Sequence, residues 1–272
     1  MDRTTPFVYV SNMAARVHAM QVRVLTCQYL YLKRWTFSDM SEPYWRLYWN
    51  PARGARLTLA GRRWALDPAH VFLIPPHTPC ASDLERPLWH FYIHFTAGAP
   101  YDMLSHRILR FGVDPALRAK LRRLAAAGRG RGASLSAGET FALYGLVCEQ
   151  LARVPGRIWP LGPTDPRIMA VQTRLAREPG SRHPNPALAR ELGLSTNAFI
   201  RLFKAQVGTA PQAYLMRLRL DRSCILLQHT AHSIEEIADL CGFCDRNHFS
   251  KMFKRHRGSG PAEYRVDARL RT

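Results

Sequence analysis

The first part of the chain carries the pattern of β-strands. Between Val22 and Phe95, apolar and polar residues alternate in some stretches, such as Arg56–Leu59, and form short apolar runs in others, such as Val71–Ile74. Alternation with a period of two is typical of a strand that buries one face, and a short apolar run is typical of a strand buried on both. Because Pro, Gly and Asp separate these stretches, we expect a β-sandwich or a small β-barrel here.

Between Asp114 and Arg153 the spacing of apolar residues becomes helical. A loop at Gly128–Gly138 separates two amphipathic segments, whose apolar positions are Leu117, Leu121 and Leu124 in the first and Phe141, Leu143, Leu146, Val147 and Leu151 in the second. Two such helices either cap the preceding sheet or present an apolar stripe to a second copy of the chain. The pattern is compatible with both arrangements.

Pro and Gly are concentrated between Val154 and Pro166, which is typical of an exposed connection between domains. We place the domain boundary near residue 160. The predicted fold class is α+β. Residues 1–160 would form a β-barrel followed by helices at about 114–153, and residues 161–272 would form an all-α domain.

After this connection the sequence repeats itself at a spacing of 50 residues. Arg201 becomes Lys251 in the second copy and Leu202 becomes Met252, so charge and apolarity are kept. The identical positions are Asn197, Phe199, Phe203, Lys204, Gly208, Pro211 and Tyr214 in the first copy and Asn247, Phe249, Phe253, Lys254, Gly258, Pro261 and Tyr264 in the second. Such a repeat indicates that one supersecondary unit occurs twice.

Each copy has the layout of a helix-turn-helix unit. A short predicted helix, Ala187–Leu192 or Ile234–Leu240, is followed by a glycine, Gly193 or Gly242, and then by a second amphipathic helix. The segment Pro211–Gln228 between the copies predicts a helix that is sandwiched between both units. Its two apolar stripes are Tyr214, Leu218 and Ile225, and Met216, Leu220 and Leu227.

A projection at 100° per residue gives the second helix of each unit one apolar and one polar face. The polar faces carry the same residue types in the two copies, namely Asn197, Arg201 and Lys204, and Asn247, Lys251 and Lys254. An α-helix fits the major groove of DNA, where Arg or Lys reads guanine and Asn reads adenine. One polar face of this kind would be an ordinary solvated surface, but its duplication in the same register favours a shared partner.

The sequence therefore predicts that both helices contact double-stranded DNA. The residues predicted to read bases are Asn197, Arg201 and Lys204 in the first unit and Asn247 and Lys251 in the second. The residues predicted to contact phosphates or groove edges are Thr196, Arg246, Ser250, Lys254 and Arg255. If the helix between the units spaces them by one duplex turn, ~34 Å, one chain covers about two turns.

The net charge supports a polyanionic partner without locating its site. The chain has 39 Lys and Arg against 20 Asp and Glu, a net charge of +19 at pH 7, and cations that neutralise phosphates release counterions. The excess is shared by both halves of the chain, so a non-specific nucleoid or RNA-binding protein is an alternative. Aromatic stacking platforms are not evident in the sequence, which disfavours that alternative.

The rest of the composition is that of an ordinary folded protein, with 47% hydrophobic and 22% charged residues. Six cysteines scattered along the chain predict free thiols and a reducing compartment. Residues 1–20 lack the pattern of a signal peptide, and no apolar run approaches the ~18 residues of a membrane span. We therefore expect a cytoplasmic protein with no membrane partner.

The stretch Asn185–Arg265 resembles the DNA-binding domain of the AraC/XylS family of bacterial transcription regulators. The resemblance is clearest in Ile237-Ala238, Cys241-Gly242-Phe243, Asn247-His248-Phe249-Ser250, Phe253-Lys254 and Pro261-Ala262-Glu263-Tyr264-Arg265. Three positions depart from the family's pattern: Ser223 stands where Ala is usual, Arg257 where an aromatic residue is common, and Gly260 where Ser or Thr is usual.

The N-terminal half is similar to the cupin-type sensing domain of the same family, in Ile74–Pro79 and Trp89–Phe95. The resemblance implies a cupin-like effector-binding and dimerisation domain at 1–160 and an AraC-type double helix-turn-helix domain at 161–272. It implies a sequence-specific, ligand-responsive regulator, commonly an activator of sugar or other catabolic genes. Its partners would be promoter DNA, a small-molecule effector and a second copy of the chain, with RNA polymerase as a further candidate.

Strand alternation identifies candidate effector contacts in the first domain. It places polar residues of two strands on one face, apart from their apolar neighbours, and a further histidine lies in the Pro-rich stretch between them. The candidate contacts are Arg46, Tyr48, His77, His90, Tyr92 and His94. An outward polar face of a half-buried sheet gives the same alternation, so the pattern leaves both interpretations open.

A cupin enzyme with a His-bound metal is the main alternative from another class. His90 and His94, if on one strand, lie about 13 Å apart at ~3.3 Å per residue, which is too far to hold one ion together. Cys241-Gly242-Phe243-Cys244 has the spacing of a zinc pair, but no second pair follows at finger spacing, so we assign these residues to a turn. Ligands from other strands, including His77, leave a metal site open as an alternative, although we predict none. Because no nucleotide loop or nucleophile motif is present, we expect no enzymatic activity and no cofactor.

Overall fold

The computed structural model describes residues 20–129, 134–159 and 165–271. The predicted domain boundary near residue 160 lies outside the described residues, as do residues 1–19 and part of the predicted loop at Gly128–Gly138.

The N-terminal part contains two antiparallel β-sheets. Their strands are β1 (Arg23–Leu32), β2 (Trp45–Trp49), β3 (Ala55–Leu59), β4 (Arg62–Leu66), β5 (His70–Ile74), β6 (Ala81–Leu84), β7 (Leu88–Thr96) and β8 (Leu109–Gly112). One sheet has the order β1-β7-β2-β5-β8 and the other β4-β3-β6. The predicted strand-rich region is confirmed, and β8 extends it beyond Phe95.

The two sheets pack as a sandwich and do not close into the expected barrel. Closure requires one continuous ladder of paired strands, and no strand in the described part of the chain belongs to both sheets. The connection between β1 and β2 pairs with the second sheet at an isolated bridge between Phe37 and Ser82. The edges β4 and β8 are paired on one side each.

The two faces of the five-stranded sheet are buried against different partners. Apolar side chains such as Leu47 and Phe91 pack with two helices, α1 (Pro115–Ala127) and α2 (Ala137–Ala152). The alternate positions, such as Tyr48 and Tyr92, pack with Leu57 of the second sheet. The polar set predicted from strand alternation therefore faces the space between the sheets, which the sequence left undecided.

Both helices over the sheet begin at polar caps. The carboxylate of Asp114 accepts a hydrogen bond from the backbone N–H of Leu117 at 2.7 Å. Ser136 and Glu139 form a reciprocal capping box at the start of α2. The inner faces of both helices cover the sheet, whereas Phe141 on α2 is 79% exposed.

The C-terminal part is entirely helical in the described residues. Its helices are α3 (Pro166–Arg177), α4 (Asn185–Glu191), α5 (Thr196–Val207), α6 (Pro211–His229), α7 (Ile234–Leu240), α8 (Arg246–Arg257) and α9 (Pro261–Arg271). They surround two separate apolar cores. The first half of α6 contributes Tyr214 and Leu215 to one core, and the second half contributes Leu220, Cys224 and Leu227 to the other. The predicted role of this helix between two units is confirmed.

Two details differ from the sequence-based expectations. The first short helix of the repeat begins at Asn185 and not at Ala187, because Pro184 occupies the cap position before it. Ile225 belongs to neither helical core. It lines a cavity of about 800 Å³ between α6, β1 and the loop that follows β7.

Candidate nucleic-acid interface

The first candidate recognition helix, α5, is fixed at both ends by local contacts. Ser195 caps its start by accepting a hydrogen bond from the backbone N–H of Ala198 at 3.2 Å. Gly208 ends it in the left-handed region, with φ +80°, a conformation that favours glycine. Phe199 and Phe203 are fully buried in the core of the first unit, so the opposite face of α5 points to solvent.

The second candidate recognition helix, α8, repeats this construction. Asp245 caps it through a 2.7 Å hydrogen bond from the backbone N–H of His248, and Gly258 ends it with φ +82°. Phe249 and Phe253 occupy the positions of the two buried phenylalanines of α5. The duplicated sequence therefore builds the same helix and exposes the same face twice.

The structure places the sequence-predicted contact residues on these outward faces. Asn197, Arg201 and Lys204 are exposed on α5, with Thr196 half-buried at its start. On α8 the half-buried residue is Ser250, and the exposed ones are Arg246, Asn247, Lys251, Lys254 and Arg255. Within the described part of the chain, none of these cationic side chains has an ion-pair partner, so their charges are available to an external anion.

A single arginine of α6 joins the two units behind these helices. The guanidinium of Arg219 donates to the carbonyl oxygens of Pro179 at 2.8 Å and Ser181 at 3.0 Å, in the loop between α3 and α4. It also donates to the carbonyl oxygen of Gly242 at 2.8 Å, in the turn of the second unit. Arg219 thus fixes the second unit to the first through three backbone groups.

Sequence reasoning missed a polar contact on the other side of α6. The carboxylate of Asp221 accepts a hydrogen bond from Nη2 of Arg257, at the end of α8, and contacts the imidazole of His77 at 3.2 Å. Two signals were present in the sequence. Arg257 departs from the family's usual aromatic residue, and Asp221 is the one acidic residue in α6.

Five of the six candidate effector contacts lie together between the sheets. Arg46, Tyr48, His90, Tyr92 and His94 are all at most 5% exposed, and the ring centroids of Tyr92 and His94 are 4.7 Å apart. His77 does not belong to this group. It lies at the boundary between the sheets and α6, where it contacts Asp221.

Several polar atoms in this interior have no hydrogen-bond partner among the described residues. They are Arg46 Nε, Asn50 Nδ2, Thr78 Oγ1, Ser82 Oγ and His94 Nδ1. Burial lowers the pKa of His90 to about 3 and that of His94 well below its usual range, so both rings are neutral at pH 7. An unsatisfied buried polar group is costly, and this group of them indicates a place where a polar ligand would be accommodated.

No other site of chemistry stands out in the described residues. No cluster of three or more His, Cys, Asp or Glu side chains there is arranged to hold a metal ion. All six cysteines lie in the described part, and each is a free thiol. None of the helices in the described part of the chain is long and apolar enough to cross a membrane.

Comparisons with known proteins agree with this construction. The family described as "Helix-turn-helix domain" matches residues 188–266. The HTH-type transcriptional activator RhaS of Salmonella arizonae is 44% identical over 79 residues, which is 29% of this chain and 28% of RhaS. The chain therefore spans little more than a quarter of the length of that relative.

The fold of the whole chain is similar to that of ToxT from Vibrio cholerae. One ToxT structure covers 89% of this chain and 97% of its own, with a TM-score of 0.52 and 12% identity. A ToxT structure described as bound to an unsaturated fatty acid covers 92% of this chain, with a TM-score of 0.54 and 14% identity. At this identity the likeness concerns the fold, including the order of a sheet-rich part before the helical part. The duplicated helix-turn-helix region, residues 188–266, is therefore similar to the helix-turn-helix domain of known transcriptional activators such as RhaS, and it follows a sheet-rich part as in the ToxT fold.

Proposed function

We propose that this protein is a sequence-specific regulator that binds promoter DNA with α5 and α8. The observation that supports this most strongly is the duplication of one exposed amide and cationic face on two helices that both end at a left-handed glycine and both bury two equivalent phenylalanines. A surface selected only for solubility has no reason to repeat its register. Two copies of one reading surface suit a duplex, whose grooves also repeat.

The proposed roles follow the chemistry of each side chain. Asn197, Arg201 and Lys204 of α5 and Asn247 and Lys251 of α8 would read base edges in the major groove. The residues nearer the groove walls would contact phosphates and set the register without reading sequence; these are Thr196, Arg246, Ser250, Lys254 and Arg255. With α6 and Arg219 holding the units together, the two helices would enter successive major grooves about 34 Å apart.

The space between the sheets is the proposed effector site. Arg46 is 1% exposed. Its guanidinium donates to the backbone carbonyls of Met40 and Thr78 and also interacts with Tyr48 and with the carboxylate of Glu42. Its buried Nε has no hydrogen-bond partner among the described residues, which favours a ligand with oxygen acceptors, such as a carboxylate or neighbouring hydroxyls. Tyr48, His90, Tyr92 and His94 would supply the aromatic and polar walls. ToxT, whose structures carry carboxylic acids, has the same fold, which agrees with such a ligand.

The partners beyond DNA and effector follow from the same role. A second copy of the chain would pack on the outer face of α2, where Phe141 is exposed. RNA polymerase would be a partner of an activator, and RhaS bears that description. A regulator of bacterial promoters acts in the cytoplasm and needs no catalysis, so we assign the chain no enzymatic activity. Its targets would be catabolic genes, as the resemblance to the AraC/XylS family implies.

The proposed function is tested by fluorescence-anisotropy binding of the full chain to a duplex obtained by selection and to a scrambled duplex of equal length. We expect the selected duplex to bind about 10³-fold more tightly or better at moderate salt. Arg122→Ala removes an exposed arginine of α1, far from both recognition faces, and serves as the matched control that keeps this preference. Equal binding to both duplexes with a steep salt dependence would instead identify a non-specific polyanion binder.

A further inference from the structure

The carboxylate of Asp221 is shared by the two halves of the molecule. One oxygen accepts from Nη2 of Arg257, the residue that ends α8, and the other contacts Nε2 of His77 at 3.2 Å. The side chains of Asp221 and Arg257 are only 15% and 18% exposed. A charge pair this far out of water is sensitive to the loss of either partner, so α8 is tied to α6 and, through α6, to the sheet domain.

A second polar contact joins the same two regions. One carboxylate oxygen of Glu42 accepts from Nε2 of Gln228 at 2.7 Å and from the hydroxyl of Tyr264 at 2.9 Å. Glu42 is 4% exposed. Gln228 lies at the end of α6 and Tyr264 lies on α9. The sheet domain therefore contacts α6 and α9 directly and reaches α8 through Asp221, and none of these contacts uses the recognition face.

Both contacts originate from loops that Arg46 holds in place. Its Nη1 donates to the carbonyl oxygen of Met40 at 2.5 Å, and its Nη2 donates to that of Thr78 at 3.0 Å. Met40 is two residues before Glu42, and Thr78 directly follows His77. The two loops also bond to each other, because the backbone N–H of His77 donates to the carbonyl oxygen of Glu42 at 2.7 Å. His77 itself is in the left-handed region, with φ +53°, which a non-glycine residue keeps only when its surroundings hold it.

We propose that Asp221 and Arg257 are positioning residues, through which the sheet domain keeps the second recognition helix, α8, in register with the first, α5. In this proposal effector binding at Arg46 alters the contacts that position α8. This inference rests on the proposed function above. An acceptor oxygen of the effector that binds the unpartnered Nε of Arg46 would reorient the guanidinium. The hydrogen bonds from Arg46 to the carbonyl oxygens of Met40 and Thr78 would then change. The response would reach the second unit through His77 and Glu42, while the first unit would keep its own core.

The first test is amide hydrogen exchange of the full chain without DNA. His77→Ala removes the imidazole from Asp221, and its matched control is His70→Ala, which removes the imidazole from a His–Asp pair inside the sheet domain, His70 with Asp67 at 2.8 Å. We expect His77→Ala to speed exchange in the last turn of α8 and in α9 by about 5-fold or more, with little change in α5. Glu42→Ala should give the same pattern. Equal protection of α8 and α9 in wild type and both variants would overturn the proposal.

The second test separates positioning from folding by using DNA. In one series of duplexes, each carries two selected half-sites, and their spacing is varied by single base pairs. A further duplex carries only one half-site. We expect His77→Ala to lose most of the wild-type preference for one spacing while binding the single half-site within about twofold of wild type. His70→Ala should keep the spacing preference. If His77→Ala keeps it too, the sheet domain does not set the register.

The role of Arg46 is tested in the same exchange experiment with Arg46→Lys, which keeps the charge but cannot hold two carbonyls with one planar group. The expected result is faster exchange of α8 and α9, with no further increase when His77→Ala is added. If the increases in exchange rate add in the double variant, Arg46 acts independently of His77. The proposed route from Arg46 through His77 would then be wrong. Should Arg46→Lys fail to fold, Glu42→Ala combined with His77→Ala tests the same coupling. If the chain binds no duplex specifically, the proposed function is wrong. The exchange results would still show whether His77 and Glu42 stabilise α8 and α9.

Discussion

A Cβ atom on Gly242 would lie 2.8 Å from the carbonyl carbon of Gly180 and closer still to its oxygen. The turn of the second helix-turn-helix unit therefore packs directly on the backbone of the loop between α3 and α4. Gly242 also has φ +75°, which favours glycine for a second reason. The two units therefore meet backbone to backbone at this point, and a side chain here would push them apart.

Gly242→Ala should be strongly destabilising, because it combines an unfavourable backbone conformation with steric overlap. We expect the free energy of unfolding to fall by roughly 3 kcal/mol or more. Gly193 is the equivalent turn residue of the first unit, with φ +66° but no atom within 4 Å of an added Cβ. Gly193→Ala should therefore lower the free energy of unfolding only through its unfavourable backbone conformation, by roughly 1 to 2 kcal/mol. Urea denaturation of both variants compares them, and equal costs would contradict the proposed close packing.

The buried histidines predict an acid-sensitive fold. Burial lowers the pKa of His90 to about 3 and that of His229 to about 4, whereas an unfolded chain protonates histidine near pH 6.5. Between these values the unfolded state binds more protons, so the free energy of unfolding falls as the pH drops from about 7 towards 4. Each fully buried histidine contributes at most about 2 kcal/mol of this loss at pH 5. Urea titrations at pH 7 and 5 should show a smaller loss in His229→Gln than in wild type; an equal loss would mean that His229 is protonated equally in both states.

Phe141 should govern self-association. Its side chain is 79% exposed on the outer face of α2, where it contributes little to the fold of one chain and much to an apolar interface. Phe141→Glu should shift the chain from dimer to monomer in sedimentation velocity while its thermal midpoint stays within a few degrees of wild type. Tyr31, an aromatic residue of β1 that is 49% exposed, offers Tyr31→Glu as the control that stays dimeric. A wild-type chain that is monomeric at all concentrations would refute the dimer.

Lys254 should contribute affinity without contributing specificity. It is exposed in the last turn of α8, where its ammonium would meet phosphates at the edge of the groove. Lys254→Ala should weaken binding to selected and scrambled duplexes by the same factor and reduce the slope of log K against log salt by about 1. A loss confined to the selected duplex would reassign Lys254 to base reading.

The sequence predicted most of the helical domain because its signals are local and occur twice. The buried pair Phe199 and Phe203, its copy Phe249 and Phe253, and the glycines that end each helix specify the helices and their inner faces without long-range information. The order of elements and the helix between the units follow from the repeat. No helix was predicted at α3, whose apolar residues follow directly on the Pro-rich connection, or at α9.

The sheet domain was less predictable for a physical reason. Alternation with a period of two separates Arg46 and Tyr48 from Leu47, but it is symmetric and does not say which side faces inward. The answer came from α1 and α2, which cover the apolar side and leave the polar side between the sheets. Contacts such as that of His77 with Asp221 join residues 144 positions apart, and no local pattern encodes that separation.

The most direct test of the central claim is to map which base pairs each recognition helix reads. Selection of random duplexes is followed by sequencing for the wild-type chain, Arg201→Ala and Lys251→Ala. The account predicts that each variant loses base preference at its own short cluster of positions, and that the two clusters lie about one helical turn, ~10 base pairs, apart. Each substitution should cost about 1 to 3 kcal/mol on the wild-type site. If both variants instead bind every sequence more weakly by one common factor, α5 and α8 contact only the DNA backbone, and the claim of two reading helices is wrong.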